Sequence, residues 1–257
     1  MSEPQYQEQN TEQDFLEDDT HRIILSLGSK GSGKTHMMIN YLKWALMNMK
    51  YAEYHLVLPA YKNEKDGQYG FLKGMKNVFI YNTYNPKICS RIKKPNTLFI
   101  IDDATSNGLD IKKDMNLMKI ITTSRHCKIQ LWLIFHAVRS IMSVPVRANI
   151  DYLFVHKTTN RKLLEAIYEE YFSMYPEFDR EQTFINFYHE TVLSQQYNAL
   201  FLNLVKGQYD TNVNQWQLNQ LHDQDIRPPK NKTSSKSVNK NKKLSQQEYR
   251  PNVRMFI

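Results

Sequence analysis

Apolar residues in this chain gather in short runs separated by polar stretches that carry helical periodicity. The runs Ile23–Leu27, 54–58, Val78–Tyr81, 98–101, Ile129–Phe135 and 152–155 predict strands, and a last extended segment falls near 199–205. A continuous apolar run bounded by turn residues is the pattern of a strand buried on both faces, as in a parallel sheet. After the first run, Met38, Tyr41, Leu42, Ala45, Leu46 and Met49 recur at helical spacing and predict a helix with a sheet-facing stripe, its methionines serving as core filler. Residues 112–125 predict a second helix, and residues 161–172 a third with Leu163, Leu164, Ile167 and Tyr171 on one face. Strands alternating with helices predict an α/β fold: a doubly wound, mostly parallel sheet flanked by helices. No internal repeat is visible, and 257 residues can bury one large core.

The turn after the first run adds chemistry to this frame. Gly28, Ser29, Lys30, Gly31, Ser32, Gly33, Lys34 and Thr35 spell G-x-x-x-x-G-K-[ST], a phosphate-binding P-loop in the strand-then-helix setting it requires. Glycines let backbone N–H groups curl around phosphates, Lys34 places a charge against the γ-phosphate, and the Thr35 hydroxyl is suited to Mg²⁺. A helix starting near Gly33 aims its positive end at the same phosphates. The competing reading is a Gly/Ser turn that binds nothing. The pattern makes a nucleotide triphosphate the expected ligand, with ATP and Mg²⁺ as the pair to look for.

Such a loop needs an acid from a second strand. The run 98–101 ends in Asp102 and Asp103, at the sheet edge where open α/β folds place their chemistry. Asp102 is the candidate Mg²⁺ carboxylate, the Walker B acid, and Asp103 the candidate general base toward water. A pair of aspartates after a strand can also simply cap the next helix.

Charge changes the picture at the ends. Residues 1–20 carry seven acids and no Lys or Arg, whereas residues 226–257 carry nine bases against Glu248 alone, so the net +8 splits into −7, +7 and +8 for head, body and tail. Both ends are polar and poor in apolar residues, which predicts an acidic disordered head (1–20), an ATPase domain (21–225) and a basic disordered tail (226–257). A basic tail on a basic body points to a polyanion such as nucleic acid, or to a solubilising terminus. The longest apolar runs fall far short of the ~20 residues a bilayer helix needs, and the acidic start is unlike a signal peptide, so no transmembrane segment is expected. Cys89 and Cys127 supply neither a disulfide framework nor a metal cluster and suit a reducing compartment.

The segment Thr122-Thr123-Ser124-Arg125-His126-Cys127-Lys128, leading through Ile129–Phe135 to His136, resembles the helix–turn–strand of the FtsK–HerA superfamily of RecA-like P-loop ATPases. Residues 143–154, with Arg147 and Asn149 ahead of a core strand, resemble the family's next segment. The whole resembles its viral genome-packaging branch (the poxvirus, large DNA virus and virophage type) over residues 22–205. That resemblance implies an ATP-driven motor moving double-stranded DNA into a preformed capsid. Arg125 would reach a neighbour's γ-phosphate as an arginine finger, with Arg147 the second candidate; an exposed arginine at a helix end is the plainer reading of either. His136 stands where relatives carry a Gln or Asn phosphate sensor, Asp103 where many P-loop ATPases carry Glu, and His126 is given no role. A trans arginine implies a homo-oligomeric ring, a pentamer or hexamer. DNA would be held by its phosphates, and a capsid or portal-vertex protein would be a further partner, the basic tail gripping DNA or docking there. Expected locations are intracellular and soluble: host cytoplasm, virus factory or virion vertex. Competing functions are a conjugation- or phage-assembly-type ATPase, whose relatives carry a membrane anchor, a small-molecule kinase, and a nucleotide-binding scaffold without turnover.

Overall fold

Eight strands hydrogen-bond into one sheet in the computed structural model, which describes residues 11–63, 67–103, 113–136 and 144–221. In chain order the elements are α1 (Thr11–Glu17), β1 (Ile23–Leu27), α2 (Lys34–Met47), β2 (Glu53–Val57), β3 (Val78–Tyr81), α3 (Lys87–Arg91), β4 (Thr97–Ile101) and α4 (Met115–Cys127). There follow β5 (Ile129–Phe135), α5 (Val144–Arg147), β6 (Tyr152–His156), α6 (Arg161–Ile167), α7 (Glu181–Tyr188), β7 (Ala199–Asn203) and β8 (Gln208–Asp210). The sheet order is β3-β2-β4-β5-β1-β6-β7-β8. The first six run parallel, and β7 and β8 close the edge antiparallel.

This order positions the site. β1 lies between β5 and β6, and β4 lies beyond β5, so the carboxyl ends of β4, β5 and β1 adjoin. Alternate residues of each strand feed two cores, one per face. Ile23, Leu25, Leu27, Leu131, Leu133 and Phe135 pack with α4, α6 and α7, while Ile24, Trp132, Ile134, Tyr152 and Phe154 pack with α1 and α2. Covering both faces is why the strands read as apolar runs instead of alternating patterns.

Three differences from the sequence reading have physical causes. Residues 11–17 of the expected disordered head form α1, and Phe15 is 1% exposed among the rings of Tyr41, Trp132, Tyr152, Phe154, Phe201 and Trp216. The helix is tied down further where the Glu12 carboxylate accepts from the backbone N–H groups of Gln217 and Leu218 at 2.9 and 2.7 Å. The helix expected over 161–172 is α-helical to Ile167 and continues as a π-helical turn, Tyr168–Phe172. α7 has no counterpart in the sequence reading, its apolar face being only Phe184, Ile185 and Tyr188. Residues 1–10 of the head and the whole 226–257 tail lie outside the described residues. Among the described residues, no helix is long and apolar enough to cross a membrane.

Candidate nucleotide site

Residues 28–33 turn from β1 into α2, and the turn is pressed tightly against β6. A Cβ on Gly28 would sit 2.8 Å from His156 Cβ and 3.0 Å from the His156 carbonyl oxygen, so only glycine fits there. The Ser29 N–H donates to the Lys157 carbonyl at 3.0 Å, tying the loop to the residue after β6. Gly33 sits at the head of α2 with a left-handed φ of 97° and no side-chain cap, which leaves the helix's first N–H groups without a capping side chain. Such amides form an anion site. Ser29, Lys30 and Gly31 are exposed on the crown of the loop, and Ser32 is buried beneath it.

Lys34 is buried under this crown. Its ammonium donates to the carbonyls of Gly28 at 2.8 Å and Ser29 at 2.6 Å, and to the Ser32 hydroxyl at 3.3 Å. These acceptors are neutral, so burial pushes the amine down to about 8, against the opposing pull of Asp102 and Asp103. A polyphosphate in the loop would give that charge a partner.

The Thr35 hydroxyl donates to the two Asp102 carboxylate oxygens at 3.3 and 3.4 Å, bringing α2 and the tip of β4 together. Asp102 is held there by its own N–H, which donates to the Val57 carbonyl at 3.0 Å. Burial raises its carboxyl above the ordinary value, with the Thr35 hydrogen bond pulling the other way. A buried carboxylate beside a hydroxyl is a fitting donor set for Mg²⁺, which takes few protein oxygens and completes its shell with water and phosphate. No cluster of three or more His, Cys, Asp or Glu that could hold a metal ion occurs among the described residues. Asp103 adopts a left-handed φ of 48°, and its Oδ1 lies 3.4 Å from His136 Nε2 at the tip of β5. The helix-cap role belongs instead to Asp114, whose Oδ1 accepts from the N–H groups of Asn116 and Leu117 at 3.0 Å.

Arg125 and Arg147 are not part of this cluster. Arg125 pairs with Asp151, which precedes β6 and also accepts from the N–H of Ile23, the first residue of β1, at 2.9 Å. That is the amino-terminal edge of the sheet, a strand length of roughly 15 Å from the loop. The Arg125 side chain is 59% exposed there and lines a cleft of about 250 Å³ with Ser124, His126, Ala148 and Asn149. Arg147 lies at the same edge, four residues before Asp151, and pairs with Glu170 at 2.8 Å. Neither arginine can serve the P-loop of its own chain from these positions.

His156, which the sequence reading passed over, is the residue that the loop rests on. It is 1% exposed, and burial together with the Lys34 charge pushes it down to about 3, so it is neutral. Its place at the end of an apolar strand was the only signal in the sequence.

No protein-family model matches the chain, and no curated protein matches it. Solved structures do. The genome packaging NTPase B204 from Sulfolobus turreted icosahedral virus 2, in complex with ATP-gammaS, superposes with a TM-score of 0.55 at 18% identity, covering 75% of this chain and 97% of that one. The chain shares the α/β fold of B204. The AMPPCP complex of B204 gives a TM-score of 0.54 at 17% identity over the same shares of the two chains. B204 of Sulfolobus turreted icosahedral virus, a DNA-packaging ATPase, gives 0.54 at 16% identity, again over 75% and 97%. B204 is matched over nearly its whole length, so the shared part is the complete sheet-and-helix body and not a fragment of it. The mostly parallel α/β sheet flanked by helices that the sequence predicts is the fold observed and shared with B204.

Proposed function

We propose that this chain is an ATPase that drives double-stranded DNA into a viral capsid, as a ring whose sites are completed between subunits. The observation that carries this is the meeting of Lys34, Thr35, Asp102, Asp103 and His136 at the joined tips of β1, β4 and β5, on a fold shared with a packaging NTPase. Loop N–H groups and Lys34 would hold the β- and γ-phosphates, and Thr35 and Asp102 would hold Mg²⁺, which when bound would neutralise charge on the phosphate oxygens. Asp103, oriented by His136, accepts a proton from the attacking water. Water oxygen bonds to the γ-phosphorus, the bond to the β–γ bridging oxygen breaks, and ADP and phosphate leave. Arg125 or Arg147 of the next subunit enters to stabilise charge on the transferring group; the exposure of Arg125 and its distance from its own loop support Arg125 for this part. DNA phosphates and a capsid or portal-vertex protein are the partners of the ring.

The experiment is steady-state ATP turnover with and without long double-stranded DNA, beside Lys34→Ala and Arg125→Ala, with native mass on the same samples. Turnover raised several-fold by DNA, lost in both variants and accompanied by a ring-sized species, is the expected result. Arg125→Ala should bind nucleotide normally and lose on the order of 10³-fold in turnover, as expected for an arginine finger. Mixed into wild type, it should poison activity out of proportion to its fraction. Turnover by a monomer, indifferent to DNA and to Arg125→Ala, would refute the motor.

A further inference from the structure

Tyr197 is a bulky residue held in a conformation that such residues avoid. Its φ is +55°, and the residue is 57% exposed. A non-glycine residue in this region costs of order 1 kcal/mol or more and persists only where its surroundings over-determine it. Here they do. The next residue, Asn198, is fully buried, and its amide donates to the carbonyls of Thr191 at 3.0 Å and Thr211 at 2.5 Å while its oxygen accepts from the Asn214 N–H at 3.1 Å. The turn is clamped from three sides, and its product is an exposed aromatic ring.

That ring stands beside the P-loop. A Cβ on Gly33 would lie 3.4 Å from Tyr197 Cδ1, and the His36 ring, one turn into α2, is 6.3 Å away centroid to centroid and tilted by 35°. His36 is itself held by Asn40, whose amide lies 3.1 Å from His36 Nε2 and donates to Asn219 at 3.0 Å. β7 brings the turn here because it runs antiparallel, so that Ala199 pairs with His156 at the carboxyl end of β6.

The direction of a bound triphosphate follows from the strand order. Asp102, Asp103 and His136 lie at the tips of β4 and β5, on one side of β1, and mark the γ-phosphate end. The α-phosphate and nucleoside then leave on the other side of β1, over β6 and β7, where Tyr197 stands. Resting on the nucleotide reading above, we infer that the Tyr197 ring is the stacking platform for the base of the bound nucleoside triphosphate, with His36 bracing it at the root of α2. A ring carried on a clamped turn needs little backbone ordering on binding, which is what such a platform requires.

The test is equilibrium binding by calorimetry, with Mg²⁺ and two probes: AMPPCP, which carries a base, and inorganic tripolyphosphate, which does not. Tyr197→Ala should weaken AMPPCP about tenfold, within the range that stacking on one aromatic face supplies, and leave tripolyphosphate unchanged. Tyr197→Phe should keep AMPPCP within about twofold, because the ring and not the hydroxyl stacks. If Tyr197→Ala binds AMPPCP as wild type does, or loses both probes equally because the ring only props the Gly33 turn, the platform is refuted while the P-loop reading stands. If wild type binds neither probe, or Lys34→Ala binds both unchanged, the P-loop reading itself fails and takes the platform with it.

Discussion

Replacing Phe15 by alanine tests whether the amino-terminal helix is part of the folded body. The ring is 1% exposed and meets six others at centroid distances between 5.2 and 6.1 Å. Three of them, Trp132, Tyr152 and Phe154, meet it nearly edge-to-face, at 88°, 81° and 78°. Burial of a phenylalanine is worth about 1.5–3 kcal/mol, and truncation to alanine in a packed core costs about 3–5 because a cavity remains. Favourable edge contacts place Phe15→Ala in the upper half of that range, about 4–5 kcal/mol. For a domain of this size each kcal/mol moves Tm by about 2–4 °C, so a fall of about 8–20 °C is expected in calorimetry or circular dichroism. Phe15→Leu should retain roughly half of the lost stability, since it refills much of the cavity. Well below the melting transition, AMPPCP affinity should stay within about twofold, because Phe15 packs in the α1/α2 core and the six rings it meets lie outside residues 28–35. A Tm shift under about 2 °C would refute the reasoning and return residues 11–17 to the status of a dispensable head.

Gly28→Ala forces a Cβ to within 2.8 Å of His156; we expect destabilisation of about 1–3 kcal/mol from overpacking and at least tenfold weaker tripolyphosphate binding by calorimetry. Asp102→Asn removes a buried carboxylate whose ionised form burial disfavours, so turnover should fall at least ~100-fold while Tm without nucleotide holds or rises. His156 gives a pH signature. Its folded value, about 3, lies below the unfolded one near 6.5, so protons favour the unfolded chain. Stability is then fully present above about pH 6.5 and falls by about 1.4 kcal/mol per unit below it, about 2 kcal/mol near pH 5. Denaturant titrations at both pH values should show a steeper slope in wild type than in His156→Phe, the difference being the His156 contribution, since His36 and His55, also lowered by burial, act in both.

The sheet and its loop were legible in the chain because their signals are local. A doubly covered strand must be apolar throughout, a P-loop needs its glycines and its Lys-Thr pair in consecutive positions, and the acids directly follow the apolar run of a buried strand. Hence β1, β3 and β5 match the predicted runs residue for residue, and Thr35 meets Asp102 and Asp103 meets His136 at the strand tips. What tertiary structure decided depends on residues far apart in sequence. Phe15 lies in a polar, acidic segment, and its partners come from positions 41 to 216, so composition could not show that the helix is ordered. The parallel run of β1 and β5, and not any motif, puts Arg125, just ahead of β5, at the amino-terminal end of the sheet, opposite the loop that follows β1. His156 and Tyr197 come to lie against the loop only because β6 is parallel to β1 and β7 antiparallel to β6. Periodicity reports which faces of an element are covered; which neighbour covers them is settled by packing among all the elements at once.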